Sequence, residues 1–211
     1  MSSTNYAFIS NYAVYSAIAL FTVAFFAHAI EVAFSLRNSG DKTKFDFTRT
    51  KRSGDLGTVM VVLAFICLLV AVVSRGISAE RVPWGNMYEF SITGALAFTG
   101  AYIFALWKYK IRWLGLPVAI SVLLTLGTAI TVLYVPSAPL VPALKSAWLV
   151  IHVSAAIISG GVFLLANCIA GTYLILDRYE ENGGRPVWAL KLPSLEALDQ
   201  LTYRLVALVF P

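Results

Sequence analysis

LGTVMVVLAFICLLVAVVS (residues 56–74) contains no charged residue and only three hydroxyl-bearing or glycine positions near its ends. A helix needs about 20 mostly apolar residues, within a range that begins near 17, to cross roughly 30 Å of hydrocarbon. This segment is therefore predicted to be a membrane-spanning helix, and it sets the class of the whole chain.

Four more charge-free apolar runs lie at residues 13–27, 91–107, 114–134 and 153–176. The chain is 59% hydrophobic and only 13% charged, too few charges to cover the core of a soluble domain. We expect an all-α, polytopic membrane helix bundle with five transmembrane helices, forming a single membrane domain over residues 1–211. The expected spans are near 12–34, 56–74, 90–107, 114–134 and 152–176.

The distribution of Lys and Arg predicts the orientation of the bundle. Of the sixteen basic residues, thirteen fall in the loop 37–55, the 108–112 connection and the segment after the fifth span. Only Arg75, Arg81 and Lys145 fall on the other side. Positive charge favours the cytoplasmic side, so we expect a multi-pass protein of the cytoplasmic membrane with its N-terminus and the loops 75–90 and 135–151 outside. The net charge of +5 then belongs to the inner face and its membrane lipid, and does not indicate nucleic acid.

The C-terminal segment begins with an amphipathic pattern. Ser194 can cap a helix, and Leu195, Leu198 and Leu201 recur at helical spacing, which predicts an amphipathic helix on the inner face. Residues 205–210 then start a sixth apolar run. Because that run is too short to span, we expect the sequence to be incomplete at the C-terminus and to be the N-terminal part of a longer protein.

His152 is the main candidate ligand, since the chain has only two histidines and this one lies where an outer loop enters an apolar run. A neutral imidazole nitrogen is a good ligand for heme iron. The alternative is an interfacial anchor with no ligand.

The outer loops also carry aromatic and polar residues that suit a planar ligand. They predict a shallow external platform, to which Arg75, Arg81 or Lys145 could add a partner for a ligand carboxylate; its residues are Trp84, Asn86, Tyr88, Glu89 and Trp148. The alternative is an aromatic belt at the membrane interface.

Three segments resemble one known family. VPWGNMYEFS (residues 82–91) resembles the Pro-x-x-Asn-x-Tyr-Glu-Ser segment of the CcsA/ResC-type heme-handling proteins, called CcsB in actinobacterial versions. WLVIHVS (148–154) resembles the first external histidine helix of that family. LDQLTYRLVALVFP (198–211) resembles the segment before its tryptophan-rich motif, which is itself absent from these residues together with the second external histidine.

The resemblance implies cytochrome c biogenesis by System II. In this interpretation the protein transports heme b and presents it at the outer face for covalent attachment to the Cys-x-x-Cys-His site of apocytochrome c. His152 would be an external axial ligand of the heme iron, and a ResB-type membrane partner is implied. The chain could form part of a cytochrome c synthase (heme lyase) complex, but which residues would be catalytic stays open. The rival hypothesis is a non-heme membrane transporter subunit or a scaffold.

His28, toward the inner end of the first span, is a second candidate heme ligand. Ionisable groups inside a membrane helix are costly and often functional. The alternative is a hydrogen bond with Glu31, one turn later, that seals the helix end.

Overall fold

The computed structural model of the protein describes residues 3–37, 44–109, 111–137, 146–185, 189 and 192–210. Within these ranges the secondary structure is helical, with no strand. The six helices are α1 (Ser3–Arg37), α2 (Lys44–Ala79), α3 (Met87–Tyr109), α4 (Gly115–Thr131), α5 (Ala147–Glu181) and α6 (Leu195–Val209), and a 3₁₀ turn at Arg112–Leu114 precedes α4. The predicted all-α bundle is confirmed.

Five of these helices are long and apolar enough to cross a membrane, as predicted. The spans are Thr4–Phe34, Thr50–Ala79, Met87–Tyr109, Arg112–Thr131 and Ala147–Glu181. Most are longer than the apolar runs, because a helix continues through polar residues once its hydrogen-bond ladder has started. The prediction that residues 37–55 form a loop was wrong over most of its length, since α2 already begins at Lys44.

The predicted orientation places the loops 75–90 and 135–151 outside, and the words outer and inner for the two ends of the bundle follow that prediction. These outer loops are shorter than the sequence suggested. Only residues 80–86 connect α2 to α3. On the other side of α4, α5 begins at Ala147, so Trp148 and His152 lie on the first two turns of a helix and not in a loop. A helical backbone fixes their relative position, which a loop would not do.

The C-terminal helix joins two features that the sequence showed separately. Ser194 accepts a hydrogen bond from the backbone N–H of Ala197 (3.3 Å), which confirms the predicted cap. From there α6 continues without a break from the amphipathic segment into the sixth apolar run. Leu198 and Leu205 are buried, in a helix that packs against α5, while Tyr203 and Leu208 are exposed.

Helix α3 packs against three of the other four spans. It contacts α2, α4 and α5, while α1 lies along α2 and also contacts α4. Of the five spans, α3 and α4 are the most buried and α5 is the least. In a membrane the hydrocarbon is as apolar as the helices, so close packing at small residues and polar contacts between helices must hold the bundle together.

Gly161 marks a close backbone contact between α5 and α3. A Cβ atom added there would lie 2.8 Å from the backbone nitrogen of Phe98 and 2.9 Å from the carbonyl carbon of Ala97. The backbones of α5 and α3 therefore meet at this position, and only glycine permits it. The neighbouring Gly160 faces open space.

These two glycines give a matched test of the packing. We expect Gly161→Ala to lower the stability of the purified protein by roughly 1–3 kcal/mol, because backbone on α3 cannot move aside to accept a methyl group. Gly160→Ala should be neutral or slightly stabilising, since alanine is the better helix former. Thermal unfolding in detergent measures both; equal midpoints for the two variants would show that α5 does not pack on α3 at Gly161.

Candidate functional site

The outer loop begins with a tight helix ending. After Ala79 the chain turns at Glu80, which adopts a left-handed conformation (φ 53°). The N–H of Glu80 donates to the carbonyl of Ile77 (3.3 Å), and that of Arg81 donates to the carbonyl of Gly76 (3.2 Å). This pair of hydrogen bonds is the Schellman ending of a helix. It turns the chain back so that Arg81 faces the start of α3.

Glu89 is the central residue of the outer loop. Its fully buried carboxylate accepts from Arg75 Nε (3.1 Å), from Arg81 Nη1 (2.7 Å) and from the backbone N–H of Gly85 (2.9 Å). Arg81 adds a longer second contact through Nη2 (3.3 Å). One carboxylate thus joins the end of α2, the middle of the loop and the first turn of α3.

The start of α3 is fixed by polar contacts within the motif. The side-chain oxygen of Asn86 accepts the N–H of Glu89 (2.9 Å), which caps the helix. Thr93 Oγ1, one turn further on, donates to the carbonyl of Pro83 (3.1 Å). A Cβ atom at position 85 would overlap the guanidinium of Arg81, so this arrangement requires glycine there.

Arg75 connects this loop to the other outer helix ends. It is completely buried, its Nη2 donates to the carbonyl of Val135 beyond α4, and its guanidinium lies 5.1 Å from the ring centre of Tyr88. Tyr88 makes an edge-to-face contact with Tyr134 at 5.2 Å between ring centres. Asn11 of α1 donates to the hydroxyl of Tyr134 (3.0 Å). The outer ends of α1 to α4 are therefore joined by one polar and aromatic cluster.

Trp148 and His152 form a separate, exposed pair on α5. They are four residues apart and so lie one above the other on the helix surface. The Trp148 side chain is 79% exposed and His152 is also exposed. An imidazole and an indole presented on one exposed face can contact a flat ligand, and the imidazole can coordinate a metal within it.

The buried cluster around Glu89 and the exposed pair of Trp148 and His152 lie at the same depth in the bundle. Because α3 and α5 are both odd-numbered spans of an alternating bundle, they run in the same direction, and they meet at Gly161 and Ala97. His152 precedes Gly161 by nine residues and Glu89 precedes Ala97 by eight, which at 1.5 Å per residue is about 13 and 12 Å toward the outer end. The buried loop cluster and the exposed histidine thus share one level of the molecule.

The structure divides the predicted platform into a buried part and an exposed part. Tyr88 and Glu89 are fully buried, Trp84 and Asn86 are half-buried, and Trp148 is exposed on α5. The carboxylate of Glu89 holds the loop, so its role in the described arrangement is to position neighbouring residues. Trp148 and His152 present the accessible surface. Lys145 lies outside the described residues.

A second polar cluster lies at the inner end of the bundle. Nδ1 of His28 is 3.1 Å from a carboxylate oxygen of Glu31, which confirms the predicted hydrogen bond. The other oxygen of Glu31 forms an ion pair with Arg112 (2.9 Å), and Arg112 pairs with Asp55 (2.7 Å). These contacts join α1, α2 and the turn before α4.

The imidazole of His28 is enclosed by two glycines. It is 1% exposed, and a Cβ added at Gly57 would lie 2.7 Å from its Nε2. A Cβ at Gly115 would overlap the same ring edge. Nε2 has no hydrogen-bond partner in the described part of the chain. Coordination of heme iron by Nε2 would require α1 to separate from α2 and α4, so the role of His28 as a heme ligand stays a prediction.

Sequence reasoning missed the partners in both clusters. Arg75 follows an apolar run and is expected at most to pair with a ligand carboxylate, and nothing in its spacing indicates that Glu89, fourteen residues later, is its ion-pair partner. Arg112 likewise reads only as a topology signal, although it joins Glu31 to Asp55. The sequence did indicate that a charge near the membrane core needs a partner, because an unpaired charge there is costly. It did not indicate which residue the partner is.

Loss of the Glu89 charge should weaken the outer cluster. We expect Glu89→Gln to lower stability by roughly 3–5 kcal/mol, because two buried or half-buried guanidiniums would lose their shared carboxylate. Glu80→Gln is the matched control, since Glu80 lies in the same loop and is exposed, and should change stability by less than about 0.5 kcal/mol. The comparison is made by thermal unfolding in detergent; a Glu89→Gln midpoint as high as that of the control would contradict the central role of the carboxylate.

Comparison with known proteins assigns the chain to a family. A family model described as cytochrome C assembly protein matches residues 84–211, which include the outer loop motif, Trp148 and His152. The cytochrome c biogenesis protein CcsA of a Picosynechococcus strain is 36% identical over 131 residues, covering 58% of this chain and 37% of that protein. The CcsA proteins of Trieres chinensis and Porphyra purpurea are 26% and 28% identical over 195 and 203 residues, each alignment covering 78% of this chain.

The chain spans only part of these relatives, between 37% and 64% of their length. The family match nevertheless covers more than half of this chain, and the resemblance seen in its motifs is confirmed. The chain belongs to the cytochrome c assembly protein family.

Proposed function

We propose that this protein acts in cytochrome c biogenesis by binding heme b at the outer face of the membrane through His152. The observation that carries the proposal is an exposed histidine on the outer turns of α5, within the family match and one helical turn from an exposed tryptophan. The heme would be handled as cargo, to be attached to the Cys-x-x-Cys-His site of apocytochrome c.

The surroundings of His152 favour a metal whose other ligands are supplied by an organic ring and not by the protein. Among the described residues no group of three or more His, Cys, Asp or Glu side chains could hold a metal ion. A metal at His152 would therefore arrive inside an organic ring that supplies most of its ligands, as in heme. Trp148 offers an aromatic face beside that ring, and His152 supplies the axial nitrogen.

The outer loop would contribute the firm side of the platform. Asn86 and Glu89 fix the start of α3, and the half-buried Trp84 lies between them and the helix end of α2. Tyr88 supports this arrangement from beneath through Arg75 and Tyr134. A binding surface held by buried contacts loses less conformational entropy on binding than a mobile loop does.

The cellular setting follows from the charge distribution and the family. The thirteen-to-three division of Lys and Arg supports the cytoplasmic membrane as location, with the N-terminus and His152 outside. Handling heme for attachment by System II would require a ResB-type membrane partner and the apocytochrome itself. The heme vinyl groups supply the reactive carbons, while the residues of this chain orient the ring and control access of water to it.

His152 gives the first test. Protein purified in detergent should show a heme Soret band, and His152→Gly should bleach it or make it depend on added imidazole, which can enter the space left by the side chain. Ile158→Gly is the matched control, because Ile158 is 60% exposed on the same helix and its replacement introduces the same helix-weakening residue. The absorption spectrum is recorded with and without imidazole.

The same experiment separates the rival hypothesis. An unchanged spectrum in His152→Gly would remove this residue from heme binding. Protein that never carries heme, in cells whose cytochrome c content is unaffected by loss of the gene, would instead support a non-heme transporter subunit or a scaffold.

His28 is proposed as an inner heme ligand that acts before heme reaches the outer face. Because Nε2 is enclosed by Gly57 and Gly115, such binding requires the inner ends of α1, α2 and α4 to part. We expect His28→Gln to reduce the heme content of protein purified from cells, while heme added to the purified variant still restores the outer band. An unchanged heme content would contradict this role.

A further inference from the structure

Arg75 has more hydrogen-bond donors than the described residues satisfy. A guanidinium carries five N–H groups and no acceptor. Nε donates to Glu89 at 3.1 Å, Nη2 donates to the carbonyl of Val135, and the face of the group lies against Tyr88. Nη1 is buried and has no hydrogen-bond partner in the described part of the chain.

Ser137, two residues after Val135, carries a second unsatisfied donor. Its hydroxyl is also buried without a partner among the described residues. Ser137 follows Val135 by two residues, and two residues span at most about 7 Å. Since the carbonyl of Val135 is bound to Arg75, Ser137 lies within two residues of a direct contact of that guanidinium.

The positive charge of the buried Arg75 guanidinium favours an anionic ligand. Arg75 forms its ion pair with Glu89, and Glu89 is also paired with Arg81. A buried cation is costly unless oppositely charged or hydrogen-bonding groups surround it. A carboxylate is the acceptor that best matches a guanidinium, because two parallel N–H donors meet two oxygens.

We propose that Arg75 Nη1 and Ser137 Oγ form a binding site for a carboxylate, and that its occupant is a propionate group of the heme held by His152. The proposal rests on the proposed function. The depth of the site supports this occupant. Arg75 is bound to Glu89, and Glu89 lies at the same level along the bundle as His152. The site is enclosed in the described arrangement, so a carboxylate can reach Nη1 only after Val135 moves away from Arg75.

The test compares heme with its dimethyl ester, in which both propionates are uncharged. Each is titrated into the full chain in detergent, and the Soret absorption gives its Kd. We expect the wild type to bind the ester about tenfold more weakly, the loss of one charge-assisted pair. Ser137→Ala and Arg75→Lys should reduce that difference to about threefold or less, since each removes one of the two donors.

Ser146→Ala is the matched control. Ser146 is exposed at the other end of the same loop, and its side chain makes no capping hydrogen bond to α5. It should keep the tenfold preference of the wild type. Ser137→Ala leaves the contacts of Arg75 with Glu89 in place, so it tests the site even if Arg75→Lys does not fold.

The outcomes distinguish this proposal from the proposed function. If the wild type binds heme and its ester equally well while His152→Gly binds neither, the carboxylate site is refuted and the heme-binding role stands. If Ser137→Ala and Arg75→Lys keep the full preference, the propionate binds elsewhere and the assignment to Arg75 is wrong. If the wild type binds neither compound, the proposed function fails and this site fails with it.

Discussion

The outer half of the molecule depends on the sharing of one carboxylate by two arginines. Glu89 accepts from Arg75, from Arg81 and from the backbone of Gly85, and it does so without contact with water. Each of these donors belongs to a different part of the chain: the end of α2, the turn after it and the second residue before α3. A buried carboxylate is stable only when its oxygens accept hydrogen bonds. Loop conformations that move these donors away from Glu89 are therefore unfavourable. The hydrogen-bonded arrangement fixes the half-buried Trp84 and Asn86 at the level of His152 along the bundle.

A second network has the same role at the inner end. Arg112 joins Glu31 of α1 to Asp55 of α2, and the imidazole of His28 fills the space left by Gly57 and Gly115. Polar contacts between helices replace the hydrophobic driving force that a soluble bundle would use. The small residues and the polar residues thus act together, since the glycines allow the approach and the charges fix its register.

Apolar runs and basic-residue counts were enough to predict five spans, because hydrophobic length is a property of a single segment. The extent of the loops was less predictable: the basic residues after Arg37 suggest solvent, yet helix α2 begins at Lys44. For the candidate site, the sequence identified His152, Trp148 and the motif around Glu89, but not that Glu89 is buried against Arg75. Ion-pair partners between helices depend on tertiary packing, and a periodic pattern in one helix carries no information about it.

The position of α5 has a kinetic consequence. Polar contacts join α1, α2, α3 and α4 at the outer end and α1, α2 and α4 at the inner end, whereas in the described residues no ion pair joins α5 to another helix. Its firm contact with the bundle is the notch at Gly161, so its outer turns can tilt about that point without breaking a charge pair. A ligand held there gives up some binding energy to restrain the helix, which shortens its residence time. Under the proposed function, a short residence would suit a heme that is to leave this chain for an apocytochrome.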